Sequence, residues 1–288
     1  MKLADGIKAR VIELEYTEFD PFYDFQINDG TYLVRLDTET KTFRDNAFYP
    51  KSSWRNINHA ESTFLIGVPF LESKQLAQKD PENFGKNLYL FDISPKILEE
   101  FWLSDFASLL KDCKSESSRK IQKWLLYEVL NRLNSKSIHI SHDSSVIAFN
   151  SPDLPSTTFD HDLGVYIGLH FDNFSFLPAN QRDSAPVRVA INLGDEDRFF
   201  VYINLTTLQI YQCLEKPTTD SEFEALKIAS SIANEFMHKY PNYPVVKIRL
   251  KPGQGYVAPT QNIIHDGYTA GKHEADINFM LRGTCCIK

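Results

Sequence analysis

The chain has 288 residues with 42% hydrophobic and 24% charged residues, which excludes the disordered class and suffices for one large domain. Its formal net charge is -7, and no cluster of Lys and Arg is interleaved with aromatic residues, so we expect no nucleic-acid partner. The first twenty residues lack an apolar signal core and no window approaches the roughly 18 apolar residues of a membrane span, so we expect a soluble, cytoplasmic protein.

Residues 1–135 mix short strands with two helices. A helix is predicted to begin at Ser94-Pro95, an N-cap followed by proline at the first helical position, and to run to residue 110. A second helix, from about Ser118, places apolar residues on one face at three- and four-residue spacing. These are Ile121, Trp124, Leu125, Val129 and Leu133. The strand candidates of this region are residues 31–36, 62–68 and 86–91.

From Ser137 onward, short runs rich in Val, Ile, Phe and Tyr are bounded by turn residues and are typical of strands. The runs are IHISHDSSVIAF, GVYIGLHFDNF, VRVAINL, RFFVYINLT, PVVKIRL and DINFMLRG. We predict a mostly β protein with flanking helices (α+β), whose core is a double-stranded β-helix of the jelly-roll, cupin-like kind. Residues 1–288 would form one domain: an N-terminal α/β buttress that shapes the pocket (1–135) and the β-helix core (136–288), with a helical insertion near 219–240.

A candidate metal site begins with two residues of GVYIGLHFDNF. Strand alternation puts His170 and Asp172 on the same face, where an imidazole and a carboxylate can occupy two adjacent corners of a metal site. A third ligand would complete a facial triad with three open positions. A second His-x-acid pair, His59 and Glu61, lies in a polar stretch without strand alternation, and we do not expect it to bind metal.

His265 follows a strand, a Pro-Gly-x-Gly turn and a second strand, and precedes Asp266-Gly267. Together with Arg282 in DINFMLRG, these residues make the chain resemble the 2-oxoglutarate and iron(II)-dependent oxygenase superfamily over residues 164–283. Its signature is His-x-Asp, a distal His, and an Arg or Lys on the next strand. The resemblance implies that His170, Asp172 and His265 bind iron(II) and act in catalysis, and that Arg282 anchors 2-oxoglutarate.

The resemblance also implies an activity, in which 2-oxoglutarate and O2 are consumed and an unactivated C–H bond is hydroxylated. The halogenases of this superfamily have Ala or Gly where this chain has Asp172, so we do not expect halogenation. We expect a small-molecule substrate, such as an amino acid or a specialised metabolite built from one. Three alternatives stay open: a cupin-like His/His/Asp isomerase or hydrolase with zinc or manganese, a protein-side-chain hydroxylase, and a non-catalytic binding barrel.

The anchor of the cosubstrate has two candidates. The interval from His265 to Arg282 is 17 residues, longer than is usual in the superfamily. Arg188 is the rival, because it alternates with Ala190 and Asn192 and can face the barrel interior. Asn192 is a further candidate for binding the cosubstrate, and Tyr166 and Tyr202 are candidates to line the pocket.

Overall fold

Two β-sheets dominate the computed structural model, which describes residues 2–12, 14–34, 42–66, 84–104, 115–217 and 231–287. The strands are β1 (Lys8–Val11), β2 (Phe25–Ile27), β3 (Thr31–Leu33), β4 (Phe48–Pro50), β5 (Arg55–Asn56), β6 (Asn87–Asp92), β7 (Ile138–Asn150), β8 (Phe159–Asp160), β9 (Val165–Tyr166), β10 (Val187–Asn192), β11 (Arg198–Thr206), β12 (Val246–Leu250), β13 (Gln254–Ala258), β14 (Ile263–Tyr268) and β15 (Asp276–Ile287). The helices are α1 (Pro21–Asp24), α2 (His59–Leu65), α3 (Pro95–Leu103), α4 (Glu116–Ser135), α5 (Thr207–Cys213) and α6 (Ala233–Lys239), with a 3-10 turn at Ala179–Ser184.

The first sheet has the strand order β1-β6-β13-β10-β15-β7 and the second has the order β14-β11-β12-β2-β5. Apart from the parallel pair β1 and β6, neighbouring strands in both sheets are antiparallel. An isolated bridge between His170 and His265 adds the His-x-Asp segment beside β14. The two sheets therefore meet the site from opposite sides, because β10, β13 and β15 belong to the first sheet and β11 and β14 to the second.

Three apolar clusters hold the sheets in place. The cluster between the two sheets contains Leu90 and Ala190 from the first and Phe200 and Ile248 from the second. The outer face of the first sheet packs on α3 and α4, and the outer face of the second packs on α5 and α6. Because the sheets pack on each other and on helices outside them, the cavity between them is walled by packed strands.

The strand predicted for residues 62–68 is wrong over residues 62–65, because helix α2 spans His59–Leu65, and residues 67–68 lie outside the described residues. The Asn58 side chain accepts from the Glu61 amide, and the Glu61 carboxylate accepts from the Asn58 amide, which is a capping box. Glu61 therefore caps the start of the helix, and its Oε1 atom also forms an ion pair with Arg55 Nη2 at 2.6 Å. Within the described residues, His59 and Glu61 belong to no group that could hold a metal.

The predicted strands near residues 31 and 86 and the helices at Ser94-Pro95 and Ser118 are confirmed by β3, β6, α3 and α4. Helix α5, which opens with a capping box formed by Thr206 and Gln209, was not predicted. Residues 35–36, 67–68, 105–110 and 219–230 of the predicted elements lie outside the described residues, and α6 forms the described end of the predicted insertion. None of the helices in the described ranges is long and apolar enough to cross a membrane.

The continuous strand predicted for GVYIGLHFDNF is also wrong. Only Val165 and Tyr166 form a strand, which pairs with β8, and the chain then turns at Gly168, whose φ is +74°. A Cβ at this position would lie 2.6 Å from the Phe48 carbonyl oxygen, so a glycine is required there. His170 and Asp172 nevertheless line the same cavity, because the backbone resumes pairing with β14 at His170.

Candidate metal and anion site

His170, Asp172 and His265 come together between the sheets, and all three are buried. The His170 amide donates to the His265 carbonyl oxygen at 3.1 Å and the reciprocal bond is 2.9 Å. The Asp172 Oδ1 atom lies 3.7 Å from His170 Nε2, and its Oδ2 atom lies 3.8 Å from His265 Nε2. One ligand atom from each residue lies within 4.8 Å of the others, so a single metal ion can contact all three.

The ring orientation of both histidines suits metal binding. His170 Nδ1 lies 2.8 Å from the Gly168 carbonyl oxygen, and His265 Nδ1 lies 3.2 Å from the Ile263 carbonyl oxygen. A carbonyl partner requires a proton on Nδ1, which leaves Nε2 as a lone-pair donor. In both rings Nε2 is the atom on the Asp172 side, so the donor set matches a His/His/Asp facial triad.

Electrostatics separate the two histidines. Burial lowers the pKa of His265 to about 3, so its imidazole is neutral and ready to bind a metal. Burial alone would also lower the pKa of His170, but the nearby carboxylate of Asp172 and the charge of Asp266 outweigh it and raise that pKa. For Asp172, burial is outweighed by the charge of Arg188 and by the two nearby imidazoles, so the pKa lies well below its usual range. Asp172 is therefore an anionic ligand.

A buried carboxylate, Asp266, fixes the segment that carries His170. Ser156 donates its hydroxyl to Asp266, and the Gly168 amide donates to the same Ser156 hydroxyl at 3.2 Å. Asp266 also accepts from the Thr158 hydroxyl at 2.8 Å. Through this network the strand of His265 is tied to the turn at Gly168, whose carbonyl oxygen orients the His170 ring.

Arg188 holds the outer side of Asp172. Its Nε and Nη2 atoms donate to the Asp172 Oδ2 atom at 3.1 and 2.8 Å. Arg188 therefore points inward, as predicted, and lies at the candidate metal site. Its guanidinium donates to the carboxylate of a candidate metal ligand.

A cavity of about 550 Å³ opens from the triad, which is a volume typical of small-molecule sites. Its lining includes Tyr166 and Arg188 from the predictions and Arg198, Tyr256 and Asn278 in addition. Tyr256 lines the cavity with both arginines, and burial raises its pKa although the charges of Arg198 and Arg188 oppose this. The cavity thus contains two guanidinium groups and a phenol as well as the triad.

Arg198 is the feature that the sequence analysis missed. Its side chain is 4% exposed, and its Nε and Nη1 atoms make no hydrogen bond within the described residues. The nearest charges are Asp276, 3.4 Å from Nε, and Lys272, which lies 3.6 Å from the same carboxylate. Two buried cations therefore share one anion, and the uncompensated positive charge faces the cavity. A signal was present, since Arg198 alternates with Phe200 and Tyr202 on one face of a predicted strand.

The other predicted site residues lie elsewhere. Arg282 donates from Nε to both oxygens of Asp143 at 2.9 Å and does not line the cavity. Asn192 donates to the Glu196 and Leu250 carbonyl oxygens and accepts from the Gly194 amide, so its amide group is used by the backbone. Tyr202 is fully buried beside His265 in the β11–β14 register and is not part of the cavity lining.

No protein-family model matches the chain, and no curated protein matches it in sequence. Solved structures do match it. The Kdo hydroxylase KdoO, a non-heme Fe(II) alphaketoglutarate dependent dioxygenase, is 14% identical in its cobalt(II) complex, with 73% of this chain and 84% of that chain covered and a TM-score of 0.43. Its complex with alphaketoglutarate and Fe(III) is 15% identical with the same coverage and TM-score. The epimerase SnoN, in complex with Fe3+, alpha ketoglutarate and nogalamycin RO, is 11% identical with 75% and 72% covered and a TM-score of 0.34.

Both neighbours are found in complex with iron and alphaketoglutarate, which is 2-oxoglutarate. The described residues of this chain contain the His170, Asp172 and His265 group that could hold a metal ion.

Proposed function

We propose that this chain is a non-haem iron(II), 2-oxoglutarate-dependent dioxygenase that hydroxylates a C–H bond of a small molecule. The observation that carries the proposal is that one cavity is lined by both the triad and the buried guanidinium of Arg198, which shares its one nearby carboxylate, Asp276, with Lys272. A metal site and a separate anion site are the two features that a 2-oxo acid with a second carboxylate requires.

The residues fit both groups. His170, Asp172 and His265 offer two imidazole nitrogens and one carboxylate oxygen, a donor set suited to iron(II) with positions left open for other ligands. Arg198 would hold the remote carboxylate of 2-oxoglutarate, since that anion would compensate the buried positive charge beside the cavity. Gly267 makes room for this guanidinium, because a Cβ there would lie 3.2 Å from Arg198 Nη2.

Bound iron(II) supplies the redox chemistry that couples oxidative decarboxylation of 2-oxoglutarate to hydroxylation of the substrate. The protein supplies position and charge. Arg188 holds one oxygen of Asp172 and so presents the other to the metal, which fixes the carboxylate as a single-oxygen ligand. Tyr256 lines the same cavity as both arginines, and its hydroxyl would serve as a further donor to a bound anion.

The same proposal includes the fold. From β7 to β15 the chain alternates between the two sheets in the manner of a double-stranded β-helix, with the His170 segment pairing with β14 in the second sheet. Strands β1 and β6 extend one sheet and β2 and β5 extend the other, so residues 1–135 would be part of one domain with the core rather than a separate unit.

Arg198 also separates this proposal from the zinc or manganese alternatives. A hydrolase or isomerase of the cupin kind needs a metal and its bound water or substrate, but no second, buried anion site. A cavity of about 550 Å³ suits a small molecule, so the protein-side-chain alternative is not favoured.

The test is an anaerobic titration with iron(II) followed by 2-oxoglutarate, monitored for the visible charge-transfer band of the chelate. The proposal predicts a band that requires both components and disappears in Asp172→Ala. A protein that binds iron(II) but gives no band with saturating 2-oxoglutarate would contradict it.

A further inference from the structure

The wall formed by β7 and β15 changes character along the cavity. Cross-strand pairs on the cavity side run from polar through apolar to charged. In order they are Asn150 with Asp276, Ala148 with Asn278, Val146 with Met280, and Ser144 with Arg282. The polar end of this wall lies beside Arg198 and Asp276, where we propose that 2-oxoglutarate binds. The apolar and outer parts of the wall are therefore available to a second ligand.

The apolar part lies next to the metal site. Arg188, which holds Asp172, also approaches the Met280 sulfur at 3.8 Å. Val146 lines the cavity beside Met280 and is 45% exposed, and Phe159 of the β8–β9 hairpin lines it as well and is 37% exposed. Exposed apolar side chains that gather at a cavity mouth are typical of a ligand-binding rim.

Arg282 ends this wall with unused donors. Its Nε atom pairs with Asp143, while its two Nη groups make no hydrogen bond within the described part of the chain. The guanidinium carbon lies 4.4 Å from the centre of the Phe174 ring, and the guanidinium carbon of Arg188 lies 5.4 Å from the same ring. Phe174 therefore connects the outer guanidinium to the metal-side guanidinium.

The charges at this mouth favour an anion. Arg188 and Arg282 are direct cross-strand partners, an arrangement of like charges that is unfavourable by itself. Asp172 and Asp143 balance them one for one, but a divalent metal at Asp172 would leave the region positive. Arg282 is 28% exposed, so its Nη groups can be reached from solvent.

We propose, on the basis of the proposed function, that the primary substrate is a small organic anion with an apolar body. The apolar body lies along Val146 and Met280 beside the metal, and the anionic group, a carboxylate in its simplest form, binds the Nη groups of Arg282. Arg282 thus recognises the substrate, while Arg198 recognises the cosubstrate.

The test uses protein loaded with Mn(II) and saturating 2-oxoglutarate, and measures paramagnetic broadening of the proton resonances of three probes: phenylacetate, phenylacetamide and acetate. We expect phenylacetate to be broadened most, because it has both the apolar body and the charge. Arg282→Gln is expected to reduce the preference for phenylacetate over phenylacetamide by about fivefold, the scale of a part-exposed ion pair. Arg119→Gln, which removes an exposed arginine of α4, is the matched control and keeps the preference.

A second variant tests the apolar part independently. Val146→Asn is expected to weaken phenylacetate and phenylacetamide together and to leave the preference between them unchanged. Equal broadening of phenylacetate in wild type and Arg282→Gln would overturn the proposal, since the carboxylate would then be bound by the metal itself. Stronger broadening of acetate than of phenylacetate would also overturn it. If the electron paramagnetic resonance signal of free Mn(II) persists in wild type, the metal site of the proposed function fails and this proposal fails with it.

Discussion

Replacing Arg198 by Met is expected to change folding stability and cosubstrate binding in opposite directions. In the ligand-free protein the Arg198 charge is buried with idle Nε and Nη1 donors, while Asp276 retains Lys272 as a partner. Removing one of two buried cations that share a single carboxylate relieves a desolvation cost and leaves Asp276 paired with Lys272. We therefore expect the free energy of unfolding of ligand-free Arg198→Met to equal that of wild type or to exceed it by about 1–4 kcal/mol.

The same substitution removes the proposed anchor of the remote carboxylate. A hydrogen bond to a charged group contributes about 1.5–3 kcal/mol, so the affinity for 2-oxoglutarate should fall about 10- to 100-fold. Anaerobic titration of the iron(II)-loaded protein measures this affinity. 2-Oxobutanoate, which keeps the 2-oxo acid but lacks the second carboxylate, is the comparison ligand: wild type should prefer 2-oxoglutarate to it, and Arg198→Met should not.

Arg282→Met is the matched control, because it removes an arginine that does not line the cavity and that we assign to the substrate rather than to the cosubstrate. It should leave the affinity for 2-oxoglutarate unchanged. Our assignment of the anchor is refuted if Arg198→Met binds 2-oxoglutarate as wild type does, and the prediction from the sequence motif is restored if Arg282→Met loses that affinity instead.

Three further predictions follow from the geometry. Gly168→Ala should lower both the free energy of unfolding and the metal affinity, because a φ of +74° costs an alanine roughly 1–2 kcal/mol and its Cβ would lie 2.6 Å from a backbone oxygen. Gly164→Ala is the control, since Gly164 has a φ of +70° with open space around it, and chemical denaturation should show only the φ penalty there. Arg188→Met should weaken Mn(II) binding about 10- to 100-fold in a titration, because Asp172 loses its fixed orientation and the pKa of its carboxyl rises. An unchanged Mn(II) affinity would show that Arg188 does not position Asp172. Hydrogen bonds from Lys136 and Arg132 lower the pKa of Glu15 from 4.5 to about 2, so its stabilising contribution is present above pH 4.5 and is lost as the pH falls towards 2. In acid unfolding, Glu15→Gln should therefore lose less stability than wild type over this pH range. Glu116→Gln, at an exposed helical ion pair, should lose as much as wild type.

The metal triad could be predicted from sequence because its parts lie on local patterns. His170 and Asp172 are two residues apart, and His265 lies within a strand bounded by clear turn signals. The prediction of shared orientation was correct for a partly wrong reason, since the chain turns at Gly168 and only the bridge to His265 restores the extended backbone. Tertiary pairing, rather than local alternation alone, sets the direction of these side chains.

The anion site could not be predicted in the same way. Whether an arginine is an anchor depends on its unmet hydrogen bonds and on the charges around it, which only the fold reveals. Arg282 finds Asp143 across the β7–β15 pair, and Arg188 finds Asp172, whereas Arg198 keeps idle donors beside the cavity. Helix α2 was missed for a different reason: the Asn58 and Glu61 capping box was read as part of a polar stretch.

We propose that one cavity binds both iron(II) and 2-oxoglutarate and uses them in an oxidation. The direct measurement is succinate formed when protein loaded anaerobically with iron(II) and 2-oxoglutarate is exposed to oxygen, in wild type and in His170→Ala. We expect wild type to form succinate and carbon dioxide in equal amounts and only with iron(II), and His170→Ala to form neither product above background. Equal succinate from the two proteins, or none from a wild type that demonstrably binds both iron(II) and 2-oxoglutarate, would contradict it.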